Sequence, residues 1–374
     1  MSDFIPVNEP LLNGNEKKYL CECIDTGWIS SEGPFVKEFE EKMSATVGRK
    51  YGIAVSNGTA ALEVAVQALK LKEGDEVILP AFTIISCAEA IVRCGAKPVL
   101  VDCDPYTYNI CAEDVKKKIT SRTKALMVVH LYGLPVDMDP ILKLAQEHGL
   151  KIIEDAAEMH GQTYKGRHCG SFGDISIFSF YPNKHVTTGE GGMVVTDDEE
   201  LAERCRSIRN LCFQKKKRYV HEELSGNFRF TNLQAAVGLA QLERLDEFVN
   251  RKREMGAFYT EGLKDVKGLQ LPITETEYAK NIYWVYGIVL KDSVGIDNEE
   301  MQKRLAAKGI GTRTFFWCMH EQPVFQEMGL FKDERYPVAE KLARRGFYIP
   351  SGLALTKEQM STVVKAVKEV MSEV

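Results

Sequence analysis

The sequence predicts an α/β protein with a mostly parallel central sheet and a smaller C-terminal α+β unit. First, short β-branched or apolar runs alternate with helical periods from Tyr51 to Glu154. That is the pattern of strands buried on both faces by crossover helices. Second, the turn Asn57-Gly58-Thr59 joins the first of these strands to the first of these helices. Third, the alternation gives way after about residue 250 to mixed strands and helices. The expected division is therefore 1–249 for the large unit and 250–374 for the small one, with residues 1–25 free to pack on the latter. A chain of 374 residues can bury cores of that size.

In chain order, Lys17 to Asp25 reads as a short amphipathic helix, followed by the turn-rich run Gly27-Trp28-Ile29-Ser30-Ser31-Glu32-Gly33-Pro34. That run reads equally as a loop around a packed Trp or as a ligand-contacting loop. Tyr51 to Ser56 is a strand, and Ala60 to Leu71 a helix with Leu62, Ala65, Val66 and Leu69 on one face. The glycine turn between them puts free N–H groups and a positive helix end at one point, a natural phosphate seat. Many α/β turns share this form without binding anything. Glu76 to Leu79 is the next strand; Pro80-Ala81-Phe82-Thr83 leads into an apolar helix through Val92. Strands follow at Pro98–Val101, Ala125–Val129 and Lys151–Glu154, the last two separated by a helix from Met138 to Gly149. Ligands of such sheets sit at the carboxyl ends of the strands.

Asp155 lies at one of those ends, after Ile152-Ile153. An acid there needs a partner, such as a protonated ring nitrogen, or else serves as a helix N-cap. His130 and His160 read more readily as packed histidines than as ligands. The stretch Asp174 to Met193 begins with an apolar strand, Ile175 to Phe180, broken by Tyr181-Pro182-Asn183. Lys184 sits on the break, where desolvation would lower its pKa and free its amine to form a Schiff base. Thr187-Thr188-Gly189-Glu190-Gly191-Gly192 follows, with glycines that allow close approach to a bound group. Beyond a helix from Leu201, the basic run Lys215-Lys216-Lys217-Arg218 reads as a solvated loop. Thr231 or Asn232 can cap a long helix, Leu233 to Val249, continuing into Arg251 to Leu263 as a hinge. The small unit adds strands at Tyr283–Leu290 and Arg313–Phe316 and helices at Glu299–Lys308 and Lys357–Met371.

A net charge of −5 gives no reason to expect nucleic acid or an anionic membrane as partner. No apolar run reaches spanning length, and Met-Ser-Asp-Phe-Ile-Pro lacks the features of a signal peptide. The ten cysteines are scattered without a C-x-x-C pair, so free thiols in a reducing cytosol and no zinc or other metal site are expected.

A lysine for an imine, a carboxylate for a ring nitrogen and a Gly-Thr helix start for a phosphate together are what pyridoxal 5′-phosphate requires. The ordered set of segments Gly27–Ser31, Ser56–Leu62, Val129–Gly133, Ile153–Glu158, Phe178–Lys184, Thr188–Gly192 and Asn227–Asn232 resembles the DegT/DnrJ/EryC1/StrS family of sugar aminotransferases over nearly the whole chain. The resemblance implies the pyridoxal-phosphate fold type I, like aspartate aminotransferase. Lys184 would be the lysine that condenses with the cofactor and shuttles the proton, Asp155 the partner of the pyridine nitrogen, and Glu158 a neighbour of the ring hydroxyl, where many relatives have Gln. Gly58, Thr59 and Ser179 would hold the phosphate, and Asn227 would reach the phosphate of a neighbouring subunit's cofactor, implying a homodimer with shared sites. Trp28, Ser30, Arg229, Arg313 and His320 would meet the nucleotide-sugar.

The implied reaction is transfer from L-glutamate to a nucleotide-linked 4-keto-6-deoxyhexose, GDP-4-keto-6-deoxymannose favoured, for surface polysaccharide such as the O-antigen of lipopolysaccharide. UDP- or dTDP-linked substrates, C3 amination and a ketosugar 3-dehydratase stay open. Two positions depart from the family pattern. Ile84 stands where many relatives stack an aromatic ring on the cofactor. Tyr181-Pro182 and His185-Val186-Thr187 resemble a dehydratase branch that has His at the lysine position, but Lys184 itself argues for amino transfer. A cofactor-binding regulator would append a DNA-binding segment, and an NAD enzyme would want G-x-G-x-x-G after the first strand; neither is visible.

Overall fold

The computed structural model describes residues 4–214, 217 and 219–374. Of the basic run, Lys215, Lys216 and Arg218 lie outside the described residues, and Lys217 is exposed. Helices α1 (Glu16–Thr26) and α2 (Pro34–Thr46) precede β1 (Tyr51–Val55). Helix and strand then alternate through α3 (Gly58–Ala68), β2 (Glu76–Pro80), α4 (Ile85–Arg93), β3 (Lys97–Val101), α5 (Ala112–Lys118), β4 (Thr123–Val129), α6 (Met138–His148) and β5 (Lys151–Asp155). A small ribbon, β6 (Thr163–Tyr164) with β7 (Arg167–His168), leads to β8 (Ile175–Ser179) and β9 (Gly192–Thr196). The central sheet has seven strands in the order β1-β9-β8-β5-β4-β2-β3. Its pairings from β8 to β3 are parallel, whereas β9 runs antiparallel to both β8 and β1.

Both faces of the sheet are buried, as the uninterrupted apolar runs require. Along β1, Ile53 and Val55 pack with Leu62, Val66 and Ala202 on one side, while Ala54 packs with Phe39 and Met43 on the other. This is the two-residue alternation of a strand with a helical layer on each face.

Strand β9 was not foreseen, because its glycines read as ligand-facing. They serve packing instead: a Cβ on Gly192 would lie 2.3 Å from the Asn57 carbonyl oxygen. The backbone of β9 thus abuts the turn that starts α3.

After α7 (Glu199–Arg209), the long helix expected from Leu233 is broken. Helix α8 (Asn232–Leu242) ends before α9 (Leu245–Leu263) begins, with Arg244 off helical geometry between them. A full capping box of Thr231 with Gln234 starts α8. The second sheet, order β10-β11-β13-β12, is antiparallel and comprises β10 (Leu269–Gln270), β11 (Tyr286–Leu290), β12 (Arg313–Thr314) and β13 (Gly346–Ile349). Helices α10 (Asn298–Ala307), α11 (Pro323–Glu327), α12 (Pro337–Arg345) and α13 (Lys357–Ser372) complete this part of the chain.

Residues 5–9 run along the second sheet's unit: Ile5 exchanges backbone hydrogen bonds with Gly309 and Gly311, and Ser351 N donates to Val7 O. Helix α1, by contrast, packs on α8. Lys252 of α9 is buried and donates to the carbonyls of Trp284 and Ser351, fastening α9 to the second sheet's unit.

Glu154 is fully buried beside the cavity described below. Its oxygens accept from Gly170 N, Phe172 N, Gly173 N, Ser176 Oγ and His130 Nε2. Burial pushes its pKa up, but the bonds from His130, Gly170 and Gly173 outweigh this and bring it down to about 2. Glu154→Ala strands three backbone donors and is expected to cost about 3–5 kcal/mol in urea unfolding. In the parent protein this support is present above the ordinary glutamate range and is lost as pH falls toward 2.

Candidate active site

A cavity of about 660 Å³ opens at the carboxyl ends of β4, β5 and β8, against the start of α3. Its far wall comes from the second sheet's unit, through Trp284, Arg313, Phe316 and Tyr348.

Strand β8 delivers Lys184 to this cavity. Phe180 N donates to Gly191 O at 2.8 Å, and Lys184 N donates to Tyr181 O at 2.9 Å, closing a tight turn. Asn8 Nδ2 holds Pro182 O, and Trp284 Nε1 holds Asn183 O, each at 2.9 Å. Lys184 Nζ thereby sits 3.8 Å from the centroid of the Trp284 ring and 3.9 Å from Glu158 Oε1, with 9% of the side chain exposed. Burial holds its amine below the ordinary lysine range, against the pull of the Glu158 and Asp155 carboxylates.

Asp155 ends β5 and lines the same cavity. Its Oδ1 accepts from Ala157 N at 3.0 Å and its Oδ2 from Cys87 Sγ at 3.4 Å. Burial raises its pKa, while those two donors and Lys184 resist the shift. Glu158 accepts from Tyr132 N at 2.6 Å. Burial pushes it up to about 8, countered first by Lys184. Tyr132 is held at a φ of 55°, a left-handed conformation that non-glycine residues adopt at some cost. That geometry aims its N–H at Glu158, and its hydroxyl oxygen accepts from Phe316 N. Burial thus favours the neutral forms of both Lys184 and Glu158.

At the other end, Asn57 caps α3, its Oδ1 accepting from Ala60 N at 2.8 Å. The N–H groups of Gly58 and Thr59, in the first turn, have no intrahelical acceptor. Gly58 is needed here because a Cβ would lie 2.8 Å from the Cβ of Ser179. Thr59 Oγ1 and Ser86 Oγ bond at 3.0 Å. Gly58, Thr59, Ser179 and Ser86 thus form one wall of the cavity.

Of the remaining residues singled out in the sequence, Arg313 lines the cavity, exposed on β12 opposite Tyr348. The other four nucleotide-sugar candidates, Trp28, Ser30, Arg229 and His320, stand outside the cavity wall, as does Asn227. His320 is buried, bonded through Nε2 to Glu340 at 3.1 Å and packed on Tyr336, and so does not reach the cavity. Trp28 is 49% exposed, and the carbonyls of Trp28 and Ser30 bind Asn232. Asn227 is exposed, accepting from Arg229 N, and the Arg229 guanidinium donates to Asn210. His160 is packed between Phe178 and Phe180, and burial pulls its pKa down to about 3. Both nitrogens of His130 are engaged, with Glu154 and Val136 N. Ile84 gives the wall an aliphatic surface.

Sequence reasoning missed Ser86, Asn183, Trp284 and Tyr348 as cavity residues. Ser86 lies one turn beyond Thr83 and was within reach of the periodicity. Trp284, just before β11, and Tyr348 of β13 come from the second sheet's unit, far along the chain, with no local signature.

The DegT/DnrJ/EryC1/StrS aminotransferase family model matches residues 10–368. A GDP-perosamine synthase of Escherichia coli O157:H7 is 42% identical over 99% of both chains. One from Caulobacter vibrioides is 41% identical over 99% of this chain and all of its own. Among solved structures, S. venezuelae DesV, crystallised with a ketimine intermediate, is 34% identical with a TM-score of 0.91 over all of both chains. The chain belongs to the DegT/DnrJ/EryC1/StrS family and is an aminotransferase.

Proposed function

We propose that this cavity holds pyridoxal phosphate and that the enzyme moves an amino group from L-glutamate to GDP-4-keto-6-deoxymannose, giving GDP-perosamine. The observation that carries the reading is the convergence of a desolvated amine, Lys184, and a buried carboxylate, Asp155, on one cavity whose opposite end is a helix start with free N–H groups. The fit extends to Asn183, whose buried Oδ1 lines the cavity without a hydrogen-bond partner. Aminotransferases of this family depend on pyridoxal phosphate. When bound, that group supplies an aldehyde for amines and a ring that accepts electrons.

The chain's own residues do the rest. The Nζ of Lys184 takes a proton from one carbon and returns it at another; its depressed basicity makes it available in the neutral form. Asp155 keeps a proton at the ring nitrogen, and Ala157 N–H and Cys87 orient its carboxylate. Gly58, Thr59, Ser179 and Ser86 form the anion seat. Trp284, Phe316 and Ile84 exclude water, and Arg313 at the rim meets an anionic part of the substrate. The GDP-linked substrate rests on the two end-to-end relatives named GDP-perosamine synthase.

The same reading makes the enzyme a homodimer. Trp28, Ser30, Asn227 and Arg229 stand outside their own chain's cavity, beside exposed apolar side chains such as Ile29 and Leu224, 92% exposed, as residues serving a neighbour's cavity would. All ten cysteines are free, which fits a reducing cytosol. No helix among the described residues is long and apolar enough to cross a membrane.

The test is a panel of GDP-, UDP- and dTDP-linked ketosugars with L-glutamate, read by product NMR. A 4-amino sugar from the GDP substrate is expected. A 3-deoxy product would identify a dehydratase, and no amino sugar from any member while cofactor is bound would overturn the reading.

A second expectation concerns Glu158. Where it is ionised, its charge raises the Lys184 pKa, so Glu158→Gln should let Lys184 lose its proton at lower pH. The pH profile for capture of pyridoxal phosphate by apoenzyme should move to lower pH. An unchanged profile would remove Glu158 from that role.

A further inference from the structure

The first turn of α4 touches both ends of the cavity through consecutive residues. Ser86 bonds Thr59 at the helix-start end, and Cys87 bonds Asp155 at the acid end. Cys87 is fully buried and is not part of the cavity wall, so it can act there only through Asp155. We propose that Cys87, backed by Thr83, is a positioning residue: its thiol donates to Asp155 Oδ2 and thereby sets how tightly the cavity retains pyridoxal phosphate. This rests on the cofactor reading above.

The donor directions follow from the hydrogens available. A carboxylate only accepts, so the single hydrogen of Cys87 points at Oδ2, 3.4 Å away. Thr83 Oγ1, 3.5 Å from Sγ, must then be the donor to sulfur. With Oδ1 held by Ala157 N at 3.0 Å, both oxygens have fixed partners. The carboxylate plane is locked before any ligand arrives, which is the preorganisation a site needs. Burial, together with the charge of Asp155, keeps the thiol protonated, well above the ordinary cysteine range. Cys87 is thus a donor throughout the working pH range and carries no thiolate chemistry. Losing it would leave the buried Oδ2 without that donor and free the plane to rotate.

The experiment measures the dissociation constant of pyridoxal phosphate from apoenzyme, by cofactor absorbance, for Cys87→Ala, Cys87→Ser and Thr83→Val, alongside thermal melts. Cys87→Ala should weaken retention about three- to tenfold, as expected for loss of one weak thiol donor. Cys87→Ser, which keeps a donor, should restore it, and Thr83→Val should fall between. Were Cys87 a packing residue only, the polar Ser would melt lower than Ala and neither variant would change retention; that result overturns the proposal. So does equal weakening in Ala and Ser. If Cys87→Ala fails to fold, Thr83→Val decides, and unchanged retention there overturns it. Wild-type apoenzyme that captures no cofactor at all fails the underlying reading instead, and so is told apart from failure of the Cys87 role.

Discussion

Lys184→Ala is expected to lower kcat/KM by at least about four orders of magnitude, because it removes both the covalent anchor and the proton carrier. The same change should leave the fold intact. The Lys184 amine makes no hydrogen bond closer than its 3.9 Å approach to Glu158, and its burial is itself unfavourable. A thermal melt should therefore show the variant no less stable than its parent. Lys184→Arg separates the two possible roles of the side chain. A guanidinium keeps a positive charge between Asp155 and Glu158 but cannot lose its proton. If the lysine acts as a nucleophile and base, Lys184→Arg is as inactive as Lys184→Ala. Activity in Lys184→Arg within about tenfold of the parent would mean that only its charge matters.

Asp155→Asn should lower kcat by about two to four orders of magnitude, since a neutral amide cannot hold a proton on a ring nitrogen. The amide oxygen can still accept from Ala157 N, so the end of β5 should keep its shape. Capture of pyridoxal phosphate should persist, weakened, because Lys184 and the helix-start seat remain. Loss of turnover with retained cofactor is the signature that distinguishes an electronic role for Asp155 from a structural one. Equal loss of both, together with a lower melting temperature, would assign Asp155 to the scaffold.

That Lys184 and Asp155 share one cavity was legible because one lies just beyond, and the other at, the end of an apolar strand, and the carboxyl ends of neighbouring parallel strands converge. Gly58 was legible as the glycine of a strand-to-helix turn, but what requires it is the approach of Ser179, whose Cβ a Gly58 Cβ would meet at 2.8 Å. The antiparallel β9 was hidden because glycine carries two meanings, ligand approach and backbone packing, and Gly192 uses the second. The break between α8 and α9 left no trace, since Glu243 and Arg244 are ordinary helix residues. His320 illustrates a different limit. The resemblance implied that it meets the nucleotide-sugar, but its side chain is buried and its Nε2 bonds Glu340, twenty residues on. Trp284 and Tyr348 close the cavity from a sheet whose docking depends on long-range packing, including buried Lys252, and no local pattern encodes that.

The most direct measurement is borohydride reduction of the cofactor-loaded enzyme, followed by mass spectrometry of its peptides. A single pyridoxyl label on Lys184 is expected. The rival is Lys252, also buried and pulled down to about 7 by that burial, but occupied by two carbonyls outside the cavity. A label on Lys252, or reduction that leaves every lysine unlabelled, would contradict an imine-forming amine at the end of β8.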